Sequence, residues 1–355
     1  VQRYSTPSSE EKPSVVTVRR SSFFSTLRHS RRTWVTIQII GGLTLAVLLG
    51  WLMSSGMHWG EVMGHIRDFP PTVFAAALAA FLLSSVLKTW RWHVLITGER
   101  IGFLRLFLVQ NAGYGLNNLS PVRVVSEPVQ LALITRKGGI SPAVALATLA
   151  MEHMMDVFVT AGLLGLGVLL LPELRGFSIQ LVGAIVFSAF SLVIFLFIAK
   201  GMDFVPGLKR FPFVRSAVSA VRNLGKSPLR LSASFLLSLG SWVLLGVSGL
   251  IVANALNIHV GVAAVVVLFL GSLFIVSAVP SPPGGAITFE AAVVYTLKLL
   301  GTEGEPALVF AVIMHIILFV PPTLIAMAVL PREGIKMFGR RDPTVVEDKS
   351  GHEVI

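Results

Sequence analysis

The feature that most limits what this chain can become is a series of long apolar runs almost free of charge. A helix that crosses a bilayer needs about 20 mostly apolar residues, within a range of roughly 17–25. Trp34–Met53, Pro71–Ile96, Ser141–Leu171, Ile179–Ala199, Leu229–Leu256 and Ala307–Leu330 meet that length. Val260–Val279 is equally apolar but runs into Pro280-Ser281-Pro282-Pro283-Gly284-Gly285. Lipid leaves no partner for a bare peptide group, so only helices and closed barrels span it, and runs this long select helices. The predicted fold is an all-α polytopic membrane protein with six to eight transmembrane helices. Composition sharpens the exclusion: 13% of the 355 residues are charged, against about 25% in soluble domains. A water-soluble enzyme, a disordered chain and a coiled coil are excluded. Trp34–Met53 is too long for a signal-peptide core and is followed by further spans, so it counts as a span. There are no cysteines, which removes disulfides, thiolate metal sites and cysteine nucleophiles together.

Two stretches fit neither a full span nor a loop. Phe103–Leu119 closes on Asn117-Asn118-Leu119-Ser120-Pro121, and Val122–Lys137 reads as a second short helix with Arg123 and Glu127. Val260–Val279 descends to its Pro/Gly knot, and Ala286–Leu300 follows as a short helix with Glu290. Irregular backbone at membrane depth is tolerated only where protein buries it or where it lines a wet cavity. Both are read as re-entrant, broken-helix hairpins. Basic residues set the orientation. Counting Lys88 and Arg91 as flanks of the second span, 25 of the 29 Lys and Arg fall on one side and only Arg67 and Arg175 on the other. The expectation is a multi-pass protein of the cell (cytoplasmic) membrane with both termini in the cytoplasm. The first hairpin then opens from the cytoplasm and the second from outside, as in transporters with inverted repeats whose site lies near the midplane. Ser120 precedes Glu127 by seven residues and Ser281 precedes Glu290 by nine, so the repeat rests on topology and not on spacing.

The expected organisation is a basic, disordered tail over 1–33, a membrane domain over 34–330 and a charged cytoplasmic tail over 331–355. Lys200–Arg230 is basic and amphipathic and suits the anionic inner leaflet. Anionic lipid explains the net charge of +11, so no nucleic-acid partner is expected.

An ionisable residue within a span costs at least about 2.5 kcal/mol, so it has a partner or a task. Thr148, Glu152, Asp156 and Thr160 recur at i, i+4 and share one helical face. That stripe either forms a structural ion pair with Arg91 or Arg123 or lines a path for substrate or protons. Glu152-His153-x-x-Asp156 lacks the spacing of a metal helix, so no metal and no other cofactor is expected. His315 reads as a hydrogen-bonded helix contact. Arg123 and Glu127, four apart, can pair with each other. Alternatively Arg123, at the mouth of a broken helix, meets a phosphate with its planar fork. Gln110, Asn111, Tyr114, Asn117 and Asn118 add uncharged hydrogen-bonding groups. Glu290 can hold a lipid amine, a proton or Lys298. No phosphate-binding Gly-x-x-x-x-Gly-Lys loop, nucleophile elbow or Asp-x-Asp appears, so no enzymatic activity is expected.

Asn118-x-x-Pro121-x-Arg123-x-x-x-Glu127, then Glu152-x-x-x-Asp156, then Pro283-Gly284-Gly285 with Glu290-Ala291, resemble in order and topology the lysylphosphatidylglycerol synthase transmembrane-domain family, the flippase-like domain proteins. The similarity covers roughly residues 34–330. This chain departs from the family pattern at Ser126, where Gly is usual, at Gln130, where Arg is usual, and at His153 in the Glu-Arg pair. The family's Pro-Gly-Gly-x-Gly-x-Arg-Glu reads Pro283-Gly284-Gly285-Ala286-Ile287-Thr288-Phe289-Glu290, without the third Gly and the Arg. The resemblance implies translocation of a membrane lipid. The synthases' soluble domain has no counterpart in the 25 residues after Leu330, so lysyl transfer is not expected. The leading expectation is transport of an anionic or zwitterionic phospholipid, or a polyprenyl-phosphate lipid, between leaflets. Arg91, Asn118, Arg123, Glu127, Glu152, Asp156 and Glu290 are the expected substrate-binding residues, and Pro121, Pro283, Gly284 and Gly285 the hinges. The alternatives are an accessory subunit in lipid-linked glycan synthesis, partnered by a glycosyltransferase, and a non-transporting scaffold.

Overall fold

Chain segments this apolar all round must face either lipid or one another, and the structure, a computed structural model, divides them between the two. It describes residues 40–51, 58–96, 98–120, 126–136, 140–170, 186, 190, 227–278, 282–302 and 304–334. Within these the helices are α1 (Ile40–Trp51), α2 (Trp59–Arg67), α3 (Pro71–Leu95), α4 (Phe103–Leu119), α5 (Ser126–Thr135), α6 (Pro142–Leu170), α7 (Pro228–Ala255), α8 (Val262–Ala278), α9 (Thr288–Leu299) and α10 (Glu305–Arg332). Four of them, α3, α6, α7 and α10, are long and apolar enough to cross a membrane. The described residues contain no strand. The chain is thus an all-α polytopic membrane protein. The expected span Ile179–Ala199, the basic stretch before Arg230 and both tails lie outside the described residues, apart from residues 186, 190, 227–229 and 331–334. Leu236 and Val243 on α7 and Ile316, Val320, Leu324 and Met327 on α10 are exposed, which suits a bilayer and not water.

Helices α3 and α7 run antiparallel and are stitched by serines. Ser84 donates to the Ser241 carbonyl at 2.7 Å and Ser248 to the Ala77 carbonyl at 2.7 Å. Small residues let backbones approach where lipid supplies no hydrophobic drive. Gly249 faces Val265 and Phe269 of α8, with no room for a methyl group.

The two broken-helix segments fold as helix, break and helix. Helix α4 packs antiparallel along α10. A Cβ on Gly115 would stand only 2.0 Å from the Pro322 carbonyl oxygen, so glycine is required there. Pro321 and Pro322 interrupt the ladder of α10. Nearby, the Phe319 carbonyl accepts from Thr323 Oγ1 at 2.6 Å and from Asn118 Nδ2 at 3.2 Å. The base of this hairpin sits at the C-terminal end of α10, where Arg136 Nη1 donates to the Glu333 carbonyl at 3.3 Å. The second hairpin arrives from the other end, because α9 leads through a short turn into the N-terminus of α10. Its break contains a 3₁₀ turn at Pro283–Gly285, with Gly284 and Gly285 at φ 73° and 69°. Both tips meet: the Gly284 Cβ position lies 3.9 Å from the Asn118 carbonyl oxygen and 3.8 Å from His315 Nε2. His315 and Phe319 stand about 15–21 Å along α10, a helix of roughly 42 Å, so the meeting point is near mid-span.

One reading of charge needs correction. Near the end of α3, Trp90 and His93 are exposed, while Arg91 and Trp92 are fully buried. Successive helical residues point about 100° apart, so adjacent side chains part company. Lys88 and Arg91 also lie inside α3 and not beyond it, so neither counts as a flank.

Candidate functional site

Four helices bring their polar residues to one place. From α3, Arg91 sends its guanidinium into the bundle with no solvent exposure. Its Nη2 donates to Glu152 Oε1 at 2.5 Å and to Asp156 Oδ2 at 3.0 Å. Its Nη1 donates to Asp156 Oδ1 and, at 2.8 Å, to Ser238 Oγ of α7. Helix α4 contributes Gln110, whose Nε2 donates to Glu152 Oε1 at 2.8 Å while its Oε1 accepts from Thr89 Oγ1 at 2.8 Å. Thr148, one turn before Glu152, accepts from Trp92 Nε1 at 3.2 Å. The polar stripe of α6 therefore faces α3, α4 and α7. Fork-to-carboxylate geometry with further donors is what allows buried charges to persist in an apolar medium.

Beside this cluster is a cavity of about 200 Å³ lined by Phe81, Ser85 and Lys88 of α3, Asn111, Tyr114 and Asn118 of α4, Leu245, Leu273, and Leu318, Phe319 and Pro322 of α10. Lys88 Nζ sits 5.1 Å from the centre of the Trp242 ring on α7, a cation–π contact. Tyr114 on the cavity wall follows Gln110 by one turn of α4, which sets the cavity next to the charged cluster. Sequence reasoning placed Lys88 among the cytoplasmic flanks and gave it no role. The missed signal is its position seven residues inside the end of α3 and three from Arg91.

The remaining expected site residues are spread more widely. Asn118 is at the tip of α4, on the cavity wall and bonded to α10. Asn117 Oδ1 accepts the Ser126 backbone N–H at 3.1 Å, tying the start of α5 to the end of α4. Glu127 stands apart, with Oε1 3.5 Å from His153 Nε2. These two form the polar edge of an apolar groove of about 310 Å³ between α5 and α6. Glu290 pairs with His315 Nδ1 at 2.7 Å, and Phe289 and Phe319 pack on the imidazole. Pro283, Gly284 and Gly285 form the second tip. Arg123 and Pro121 lie outside the described residues. His58, Glu61 and Glu305 bring ligand-type atoms within 4.8 Å of one another at the N-terminal end of α10, a juxtaposition invisible at a separation of 247 residues. The cluster is exposed at His58 and Glu61.

Comparison with known proteins accords with this architecture. The family described as lysylphosphatidylglycerol synthase TM region matches residues 39–326, a stretch that takes in α3 to α9 and most of α10. No curated protein matches the chain. With the match extending over most of its length and an all-helical fold of long apolar spans, this chain is a membrane protein of the lysylphosphatidylglycerol synthase TM region family.

Proposed function

We propose that the protein moves a membrane lipid between leaflets of the cell membrane, acting as a transporter and not as an enzyme. The observation that carries this reading is the meeting of two broken-helix tips, entering from opposite ends of α10, near the middle of that span. Irregular backbone is tolerated at membrane depth where protein buries it or a cavity meets it, and the two tips abut at Asn118 and Gly284, with Asn118 also on the cavity wall. A lipid head group passing between leaflets needs such a polar way-station, because its charge cannot enter hydrocarbon unaided. The cavity against Asn118 and Lys88 supplies one. The apolar groove between α5 and α6, and another of about 490 Å³ lined by Met151, Met154, Met155, Phe158, Leu231 and Phe235, suit the acyl chains, which can stay in the bilayer. In this reading both termini are cytoplasmic, Glu127 stands at the entrance, and Glu290 and His315 face each other at the second tip.

The test is leaflet exchange of a fluorescent phospholipid in liposomes reconstituted with the purified protein. Exchange clearly above that of protein-free liposomes is expected, as is its loss when Gly284→Val jams the contact between the tips. Exchange equal to that of empty liposomes removes the transport reading.

A further inference from the structure

Lys88 and Arg91 are both cations of α3, yet their surroundings differ. Both terminal nitrogens of the Arg91 fork are held by Glu152, Asp156 and Ser238, and only its buried Nε lacks an acceptor among the described residues. The two Nη groups, the part of the fork that could grip a phosphate, are thus already spent on protein. Lys88 has the opposite situation. Its ammonium lines the cavity and rests on the Trp242 ring. Among the described residues no carboxylate comes within 4.0 Å of it and no acceptor takes its protons. The indole N–H of Trp242, itself buried, has no acceptor among the described residues either. Ser85, Tyr114, Asn111 and Asn118 complete a wall on which hydrogen-bonding groups converge beside an apolar floor of Leu245, Leu273 and Leu318. An ammonium in a span keeps three donors that lipid cannot satisfy. The Asn118 amide already donates to Phe319 and Thr323 and that of Asn111 to Phe107, so the unspent donors are the Lys88 ammonium and the Trp242 N–H, and the complementary occupant is an acceptor that carries negative charge.

We propose that this cavity is an oxyanion site in which Lys88 binds a phosphate group, the phosphate of a lipid head group in the transport cycle. Resting on the transport reading, it gives a phosphate contact to Lys88 and leaves Arg91, expected among the substrate-binding residues, as the residue that holds Glu152 and Asp156. Trp242 keeps the ammonium pointed into the cavity, and Tyr114 on the cavity wall is one helical turn from Gln110, which bonds Glu152. A head group without net negative charge brings its own cation toward Lys88, so the site favours anionic over zwitterionic lipid.

The experiment measures binding of fluorescent phosphatidylglycerol to the full chain in nanodiscs of neutral lipid, with phosphatidylcholine and inorganic phosphate as competitors. Phosphatidylglycerol is expected to bind, with phosphatidylcholine a poor competitor. A charge-assisted hydrogen bond lost from a dry site weakens binding roughly ten- to a hundredfold, which is the loss expected for Lys88→Met, with most affinity retained in Lys88→Arg. Displacement by inorganic phosphate identifies a site open to soluble oxyanions, and resistance to it a site that needs the lipid; both support the assignment. Unchanged binding in Lys88→Met, or equal competition by phosphatidylcholine in the wild type, overturns it. The competition arm needs no variant and so stands even if Lys88→Met does not fold. Leaflet exchange is measured in parallel. Binding without exchange removes the transport reading and keeps the site, whereas exchange with no dependence on Lys88 does the reverse.

Discussion

Replacing Arg91 by methionine keeps the length and apolar stem of the side chain but removes a charge on which two carboxylates depend. In the native bundle Arg91 and Lys88 formally balance Glu152 and Asp156. The variant leaves Glu152, almost without exposure, and Asp156, whose side chain is 33% exposed, with Lys88 as the remaining nearby cation. Breaking a buried pair by removing one partner costs about 3–5 kcal/mol, because an uncompensated charge stays behind. The partial exposure of Asp156 and the proximity of Lys88 favour the lower end, so a loss of about 3 kcal/mol is expected, roughly a hundredfold in the folded-to-unfolded ratio. The compensating variant Arg91→Met/Glu152→Gln/Asp156→Asn removes all three charges while the amides still bond Gln110 and Ser238. It is expected to return to within about 1 kcal/mol of wild type, since a buried ion triad replaced as a set is often close to neutral. Reversible unfolding in mixed micelles of increasing dodecyl sulfate fraction, followed by circular dichroism, gives both numbers. A single variant that loses less than about 1 kcal/mol, or a triple variant no more stable than the single, refutes the argument that this triad holds α3, α4, α6 and α7 together.

Further substitutions test individual contacts. Gly115→Ala drives a methyl group into a backbone carbonyl of α10 and should cost about 1–3 kcal/mol by the same unfolding measurement. Ile287, at φ 67° and ψ −40°, holds a β-branched residue where the family motif has glycine. Ile287→Gly should therefore stabilise the protein by about 1 kcal/mol, the net of relieved strain and added chain entropy. A loss of stability would mean that the contact of Ile287 with α1 at Gly50 outweighs the strain. Ser84→Ala and Ser248→Ala should each cost about 0.6 kcal/mol, the mean for interhelical hydrogen bonds in a bilayer, and should add in the double variant. Clear non-additivity would show that the α3–α7 seam is more cooperative than two separate bonds.

Much of the architecture was legible along the chain because its causes are local. Apolar length names the spans α3, α6, α7 and α10, and proline and glycine mark the breaks after α4 and α8. The i, i+4 repeat of Thr148, Glu152, Asp156 and Thr160 puts them on one face, since helical geometry fixes neighbours on a single helix whatever surrounds it. Charge counting was less secure: Lys88 and Arg91 fell within Pro71–Ile96 yet were counted as flanks, because hydropathy near the end of a span cannot tell a basic residue that reaches the interface from one folded into the bundle.

What faces that stripe was decided only in three dimensions. Periodicity shows that Glu152 needs a partner, but whether Arg91 or Arg123 supplies it depends on which helix packs against α6. The pairing of Glu290 with His315, the meeting of Asn118 with Gly284 and the different fates of Lys88 and Arg91 are likewise contacts between distant segments. Sequence alone determined that this chain lives in a membrane and where the spans α3, α6, α7 and α10 run. Tertiary structure decided which of the charges within them are spent on one another and which one still faces a cavity. Propensity and hydropathy are properties of short segments, whereas charge satisfaction in a dry interior depends on every helix that borders the site.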